Sequence, residues 1–280
     1  MILIDYNGIA IGTIVMEKLA VEENLIRHVI LNRIRMYRKK FKQQYGEVVV
    51  VADSKRNWRY DVYPQYKFKC KDARKESTID WQEVFSITNL VREELADNFP
   101  YKVLQVEGCE ADDIISTLVE NTQEFGNYEP VMIVSSDKDF VQLQRFDNVK
   151  QFSPSLKKFY TENNPRTQLA ELILKGDQAD GIPNVLSADN CFTDGIRQTT
   201  LRQKAIDQLM EDPKALGEEV YRNYMRNKKL IDLSETPGSL KQEIINSFIE
   251  QDKLHNKKKV MPYLIEKNCR QLLDDLGDFV

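Results

Sequence analysis

Short apolar runs that end in acidic residues recur along the N-terminal half of the chain. The runs at 2–4, 48–52 and 131–134 lead into Asp5, Asp53 and Asp137. Buried strands of a parallel sheet are typically continuous apolar runs bounded by turn residues. The pattern therefore predicts buried parallel strands at 2–5, 47–52, 102–106 and 131–134.

Helical spacing of apolar residues separates these runs. Segments 22–45 and 81–98 show it clearly, and Pro100 stops the second. Further predicted elements are a helix over 111–125, a short helix from Asp139, and a strand or hairpin over 149–161. Beyond 164 the strand pattern fades. We predict a three-layer α/β/α fold with a central, mainly parallel sheet over 1–165 and a smaller helical domain over 166–280.

The composition of the 280 residues argues against a membrane-spanning or secreted protein. No apolar run approaches the roughly 20 residues that cross a membrane, and the N-terminus lacks a signal-peptide pattern. The cysteines lie far apart, as expected for reduced thiols. They are Cys70, Cys109, Cys191 and Cys269. We expect a cytoplasmic protein without a membrane partner.

Two basic stretches stand out against the net charge of −4. Residues 27–42 hold seven Lys or Arg and no acid, and residues 55–75 hold eight against two acids. Solvated helix faces explain either stretch alone. Aromatic residues within the second (Trp58, Tyr60, Tyr63, Tyr66, Phe68) favour nucleic acid there, because rings stack on bases. The predicted nucleic-acid contacts are Lys55, Arg56, Arg59, Lys67, Lys69, Lys71 and Arg74.

Segment 54–79 is too long for an ordinary connection between a strand and a helix. It is basic, aromatic and polar, and it has no clear helical or strand period. Long segments of this kind are commonly functional or mobile. We expect it to be mobile in the free protein and ordered around a single strand.

Carboxylates at strand and helix ends form the main candidate site. The carboxyl ends of parallel strands meet at one edge of the sheet, so these acids are expected to lie close together. Crowded carboxylates cannot all stay ionised unless cations neutralise them, and hard divalent ions such as Mg²⁺ or Mn²⁺ prefer oxygen ligands. Taken singly, several are explained as helix caps. The candidates are Asp5, Asp53, Glu110, Asp112, Asp113, Asp137, Asp139, Asp177 and Asp180.

Motifs in matching order and spacing carry a family resemblance. They are LIDYNGIA at 3–10, WRYDVYPQYK at 58–67, ARKEST at 73–78, EADD at 110–113, SSDKDFVQL at 135–143, NVKQFSP at 148–154 and LKGDQAD at 174–180. The chain resembles the phage branch of the 5′ nuclease (flap endonuclease) family, in particular its T-even ribonuclease H members. The resemblance implies a PIN-like nuclease domain and a helical domain with a helix–three-turn–helix-like element.

The resemblance also implies roles for single residues. One metal cluster would comprise Glu110, Asp112, Asp137 and Asp139, with Asp5 and Asp53 in the same region. A weaker cluster would comprise Asp113, Asp177 and Asp180. Two Mg²⁺ ions, or Mn²⁺ in their place, would act with Lys67, which matches the family's scissile-phosphate lysine. The implied catalytic set is Lys67, Asp112, Asp137 and Asp139, and residues 54–80 match the family's arch.

The implied activity is a 5′→3′ exonuclease and flap endonuclease with ribonuclease H activity. It would remove RNA primers and 5′ flaps during phage DNA replication, as a monomer acting on DNA and RNA–DNA hybrids. A sliding clamp and a single-stranded-DNA-binding protein are the implied protein partners.

Two positions depart from the family pattern. Cys70 stands where an arginine is usual, leaving Lys69 or Lys71 to replace it. The irregular segment 186–195 stands near the family's Gly-rich, potassium-binding loop, so duplex binding is expected but a potassium site is not.

The acidic C-terminus carries an apolar row at helical spacing. Leu273, Leu276 and Phe279 form this row, which resembles the clamp-binding tails of phage replication proteins. The alternative is a final helix that packs these residues on its own domain.

Two other functions fit parts of the sequence. Asp137 to Val141 matches the nucleophile motif of haloacid-dehalogenase-type phosphatases, with Lys175 to Asp177 as their later motif. That function leaves Asp5, Asp53 and Glu110 without a role. The second alternative is a non-catalytic junction-binding protein on a nuclease fold, against which the costly retention of all nine acids argues.

Overall fold

The computed structural model describes residues 1–68, 77–251 and 254–280, without the side chains of 254 and 255. Predictions for Lys69, Cys70, Lys71 and Arg74 therefore lie outside the described residues. The chain forms two compact units. Unit 1 comprises Met1–Lys55, Asp80–Thr161 and Gly238–Val280, and unit 2 comprises Arg56–Ile79 and Glu162–Pro237. None of the described helices is long and apolar enough to cross a membrane.

A six-stranded sheet forms the centre of unit 1. The strand order is β3-β2-β1-β4-β5-β6, with β1 to β5 parallel and β6 antiparallel at one edge. The predicted mainly parallel sheet is confirmed, and the predicted hairpin over 149–161 is the β5–β6 pair. The strands are β1 (Ile2–Asp5), β2 (Val48–Val51), β3 (Lys102–Leu104), β4 (Val131–Val134), β5 (Val149–Ser153) and β6 (Lys158–Tyr160).

Register along the sheet brings the predicted acidic strand ends to one edge. Asp5 pairs with Val51, two residues before Asp53, and Ile4 pairs with Val134, three residues before Asp137. Strands β1, β2 and β4 are buried at every position, which explains their unbroken apolar sequences.

Two groups of helices pack on this sheet. Helices α2 and α4 contact each other and reach β1, β3 and β4, whereas α5 and α9 contact each other and reach β1, β2 and β3. The described helices of unit 1 are α1 (Tyr6–Met16), α2 (Glu23–Tyr45), α4 (Trp81–Asn98), α5 (Ala111–Glu120), α9 (Gly238–Glu250) and α10 (Val260–Glu266). A π-helical turn, Asn121–Phe125, continues α5 to the predicted end.

Helix α1 was not predicted. Its sequence is apolar on most sides and contains Gly8 and Gly12, so it shows no amphipathic period. Asp5 begins the helix by accepting a hydrogen bond from the Gly8 backbone N–H at 2.8 Å.

Unit 2 is helical in its described part. Its helices are α3 (Arg59–Val62), α6 (Pro165–Lys175), α7 (Gln203–Glu211) and α8 (Glu218–Ile231). One core joins Tyr63 and Tyr66 to Ile173, Ile182 and Leu230, and a second joins α6 to α7.

The compact units divide the chain differently from the predicted domains. We predicted one helical domain over 166–280, but Gly238–Val280 belongs to the sheet unit. The Gln251 side chain bonds both backbone groups of Val103 in β3, and the Tyr263 hydroxyl donates to Glu94 at 2.7 Å. Helical periodicity identified these helices, but not the surface on which they pack.

Candidate metal and nucleic-acid site

Asp5 lies at the carboxyl end of the central strand β1 and is 8% exposed. Its side chain accepts hydrogen bonds from the Gly8 N–H and, at 2.7 Å, from the Ser135 hydroxyl. Burial and, to a smaller extent, the charges of Asp53 and Asp137 raise the pKa of Asp5 to about 6, against the lowering effect of these two hydrogen bonds. Asp5, Asp53 and Asp137 are therefore close enough for their negative charges to interact.

The N-terminus of α5 holds four of the predicted ligands. The Asp53 carboxylate accepts from the Ala111 N–H at 2.8 Å, so Asp53 is tied to the start of this helix. Glu110 and Asp113 form a reciprocal capping box, in which the Asp113 side chain accepts from the Glu110 N–H at 2.9 Å. Asp113 is fully buried, whereas Asp112 is half-buried. The acidic motif at 110–113 thus starts the helix as well as supplying carboxylates.

Asp137 and Asp139 lie directly after β4. Asp137 is exposed, and its carboxylate accepts from the Asp139 N–H at 2.9 Å. The Gln151 side chain donates to the backbone oxygens of Ser135 and Asp137 at 3.1 and 2.5 Å.

Ser135 and Gln151 orient this loop, and neither belongs to the set of predicted site residues. The sequence signal for Gln151 was a polar residue on the same face of the predicted strand as the apolar Val149. In the structure this position of β5 is 1% exposed.

The donor chemistry of unit 1 fits a hard divalent cation. The described candidate ligands here are all carboxylates. Burial and the neighbouring negative charges both disfavour ionised Asp5, and a bound cation would offset both effects.

In unit 2, Asp177 and Asp180 lie on one turn after α6. Asp177 accepts from the Ala179 and Asp180 N–H groups at 2.7 and 3.3 Å. Gly176 precedes the turn with φ +69°, and a Cβ there would lie 2.4 Å from the Ile182 carbonyl oxygen. The two carboxylates therefore sit on a turn that requires glycine.

Lys67, the predicted phosphate-binding lysine, contacts this turn. Its backbone N–H donates to the Asp180 carbonyl oxygen at 2.8 Å, and its Nζ is 3.8 Å from Asp180 Oδ2. The Tyr66 hydroxyl donates to the same Oδ2 at 2.9 Å. Lys67 has φ +51°, a strained value for a residue other than glycine.

The structure corrects the prediction for Arg59. This side chain is 2% exposed, and its Nε donates to the Leu230 carbonyl oxygen at 2.9 Å, so it anchors unit 2 internally. Lys55 and Arg56 are exposed as expected, and Arg56 pairs with Asp61 at 2.6 Å.

The aromatic residues predicted to stack on bases are mostly buried too. Trp58, Tyr63 and Tyr66 are each at most 7% exposed. These three residues of a sequence without a helical period thus proved to be core, and the expected mobility of 54–79 stays a prediction.

The first basic stretch is largely paired within unit 1. On α2, Arg27 bonds Glu23 and Glu94, and Arg33 pairs with Glu17. Lys40 lies over the Phe152 ring at 3.6 Å. These contacts support the alternative of a structural helix face for 27–42.

The structure also corrects the predicted clamp-binding tail. Phe279 is fully buried, with ring centroids 5.5 Å from Phe99, while Leu273 and Leu276 are half-buried. Arg35 bonds Asp278 at 2.9 Å, and Lys42 bonds the Val280 carbonyl oxygen. The tail packs on its own unit, as the alternative predicted, because an apolar end residue gains more from burial than from exposure.

An open cavity of about 610 Å³ lies in unit 2 beside the irregular segment after Asp180. Lys175 and Arg197 supply positive charge to it, and Phe192 and Ile196 supply apolar surface. Asn184 fixes the segment, since its side chain donates to the Thr199 carbonyl oxygen at 2.8 Å.

Comparison with known families decides the class of protein. A model of the N-terminal resolvase-like domain of 5′-3′ exonucleases matches residues 2–170, and a model of the T4 RNase H C-terminal domain matches residues 164–279. The chain belongs to the 5′-3′ exonuclease family. It is therefore a phosphodiester hydrolase.

Two curated relatives show the range of similarity within this family. The chain is 33% identical over 237 residues to ribonuclease H of Enterobacteria phage T4, covering 79% of this chain and 77% of that protein. It is 31% identical over 146 residues to a 5′-3′ exonuclease of Buchnera aphidicola subsp. Schizaphis graminum, covering 49% and 47%.

Solved structures confirm the fold of this 5′-3′ exonuclease. The T5 D15 flap endonuclease, in a pseudo-enzyme-product complex with DNA and metal ions, matches with a TM-score of 0.62 at 16% identity, covering 95% of this chain and 98% of that one. The T5 5′-exonuclease with bound zinc ions matches equally well, covering 95% and 99%.

The family assignment argues against both alternatives from the sequence. A haloacid-dehalogenase-type phosphatase would not match this nuclease model over β1, β2 and β4. Membership of a family of phosphodiester hydrolases argues against a non-catalytic binder.

Proposed function

We propose that this exonuclease hydrolyses phosphodiester bonds near 5′ ends, acting on RNA annealed to DNA and on 5′ flaps. The observation that supports it most is the crowding of Asp5, Asp53 and Asp137 at the carboxyl edge of the sheet in a chain of this family. In phage replication such an activity removes RNA primers, with a sliding clamp and a single-stranded-DNA-binding protein as partners. We place the enzyme in the cytoplasm as a monomer.

Two Mg²⁺ ions, replaceable by Mn²⁺, are proposed as cofactors. Glu110, Asp112, Asp137 and Asp139 would hold one ion, with Asp5 and Asp53 lowering the local potential. Asp113, Asp177 and Asp180 would serve the second, although the buried Asp113 already uses one oxygen as a cap. Bound metal lowers the pKa of a water nucleophile and stabilises the leaving oxygen.

Lys67 is proposed to bind the scissile phosphate. Its ammonium would stabilise charge that develops on the phosphate. The Lys67 backbone is held by its hydrogen bond to the Asp180 carbonyl oxygen. Residues 54–80 are proposed as the arch, with Lys55 and Arg56 as its exposed cations.

Unit 2 is proposed to bind the duplex. Lys175 and Arg197 at the cavity offer two cations to phosphates, and the hydrogen-bonded segment 184–199 gives them a fixed frame. This placement does not depend on a potassium ion.

One assay tests the activity and its metal dependence. A 5′-labelled flap and a 5′-labelled RNA–DNA hybrid are incubated with the full chain, with Mg²⁺ or with EDTA. Cleavage is expected only with Mg²⁺. Asp112→Asn and Asp137→Asn should abolish cleavage while substrate binding persists, and Asp147→Asn, an exposed acid on a turn, serves as control. Turnover like wild type in either site variant would overturn the assigned ligands.

A further inference from the structure

Asp180 is contacted by two consecutive residues that precede the arch's undescribed part. One oxygen, Oδ2, accepts the Tyr66 hydroxyl at 2.9 Å and faces the Lys67 Nζ at 3.8 Å. All three residues belong to unit 2. One oxygen of Asp180, a predicted metal ligand, therefore faces both the Tyr66 hydroxyl and the predicted phosphate-binding lysine.

Tyr66 reaches Asp180 from a fixed position. Its ring is 3% exposed in the core of unit 2 and packs edge-on against the Tyr60 ring, with centroids 5.7 Å apart. A ring locked by packing holds its hydroxyl in one place. The donor to Asp180 is therefore preorganised by the core.

The backbone on the other side of this contact is also constrained. Gly181 has φ +73°, and a Cβ there would lie 3.1 Å from the Phe68 ring. The Lys67 N–H bond to the Asp180 carbonyl oxygen joins the two segments at 2.8 Å. Asp180 and the Lys67 backbone consequently cannot separate without breaking this hydrogen bond and the contact between Gly181 and Phe68.

The Lys67 ammonium can change partner while the Lys67 backbone stays in place. Its side chain is 29% exposed and ends a flexible four-carbon stem. A divalent cation that binds Asp180 takes the same negative charge and repels the ammonium. A substrate phosphate offers the displaced ammonium an anion to bind.

We propose that Tyr66 is a positioning residue for Asp180, and that Lys67 is the metal-free counter-ion of Asp180, displaced towards the substrate phosphate when a divalent cation binds. Metal binding at Asp180 is thereby coupled to the availability of the Lys67 ammonium for the substrate phosphate. The inference rests on the proposed function, in which Asp180 binds metal and Lys67 binds phosphate.

Calorimetric titration of the full-length protein with Mg²⁺, and separately with Mn²⁺, tests the coupling without relying on activity. Removing the competing ammonium in Lys67→Met should tighten metal binding about two- to fivefold, the scale of a partly exposed ion pair. Lys214→Met is the matched control, because Lys214 is an exposed lysine of the same unit whose Nζ lies over the Tyr221 ring at 4.7 Å. Equal affinity in Lys67→Met and wild type, or equal tightening in the control, would overturn the displacement.

Tyr66→Phe tests the positioning role, because it keeps the buried ring and removes only the hydroxyl. Metal affinity should fall about tenfold, as for loss of an outer-shell partner of a ligand. An unchanged thermal melt shows that the ring still packs, and unchanged metal affinity in that folded variant would refute the positioning role.

Asp180→Asn separates this inference from the proposed function. If Asp180→Asn loses one bound ion while Lys67→Met behaves as wild type, the coupling fails and the metal site stands. If Asp180→Asn binds metal as wild type does, the ligand assignment fails and the coupling fails with it.

Discussion

Single residues fix the loops of the site, and hydrophobic periodicity does not reveal their roles. Gly176 allows the turn that carries Asp177 and Asp180, and Ser135 and Gln151 hold the loop after β4. Asp5, which begins α1, and Asp53, which accepts from the first N–H of α5, are both candidate ligands. Capping and metal binding therefore need not be alternatives for one carboxylate.

Gly176→Ala should destabilise the protein by about 3 kcal/mol, because the left-handed backbone and a blocked Cβ both oppose alanine. Gly195→Ala is the control: its φ is +67°, but nothing lies within 4 Å of its Cβ position. That variant should lose about 1 kcal/mol. Urea unfolding measures both, and equal losses would show that the close approach to Ile182 is unimportant.

Glu94 should contribute stability that acid removes. Burial raises its pKa, but hydrogen bonds from Arg27, Tyr263 and Lys267 outweigh burial, so the folded pKa lies below the ordinary value of 4.5. Stability from this group is then present above about pH 4.5 and is lost as pH falls through the lower folded pKa.

The measurement is urea unfolding of wild type and Glu94→Gln between pH 3 and 7. At pH 7 the variant should lose about 3 kcal/mol, the scale of breaking a buried pair, because Arg27 is almost fully buried. The difference should shrink towards pH 3. A loss independent of pH would contradict an electrostatic role.

Elements at the two ends of unit 1 depend on each other. The basic face of α2 receives the acidic C-terminus, where Arg35 meets Asp275 and Asp278. Two segments of opposite charge, separated by more than 200 residues, are thereby joined. The charge runs that resembled binding surfaces in the sequence instead have partners in the same unit.

Phe279→Ala should cost about 3–5 kcal/mol, as for truncation of a fully buried aromatic residue. Leu273→Ala, at a half-buried position of the same tail, should cost clearly less. Thermal melts rank the two variants. If Phe279→Ala keeps full stability and loses only stimulation by the cognate clamp, the tail is a partner-binding element after all.

Across the whole molecule, each unit is assembled from separate stretches of chain. Unit 1 needs three stretches and unit 2 needs two. A cut at the sequence-predicted boundary near 165 therefore removes α9 and α10 from the sheet unit.

The fragment 1–165 should fail to unfold cooperatively, because β3 loses Gln251 and the core loses Phe279. Circular dichroism melts of the fragment alone, and of the fragment mixed with 166–280, measure this. The mixture should regain a cooperative transition. A sharp transition in 1–165 alone would show that the predicted domain is independent.

The sequence by itself determined the strands, most helices and the acidic strand ends. Its information was local: unbroken apolar runs specify strands buried on both faces, and parallel order then places Asp5, Asp53 and Asp137 at one edge. The motifs added the family, which the comparisons confirmed.

Only the tertiary structure decided which charged and aromatic residues are exposed. Arg59, Tyr66 and Phe279 are of residue types and in local sequences that suit binding of nucleic acid or protein. Each is nevertheless buried by partners distant in the chain. The link between Lys67 and Asp180 likewise joins residues 113 positions apart. Such contacts depend on how elements pack, and packing is set by the combined burial of many side chains rather than by any local pattern.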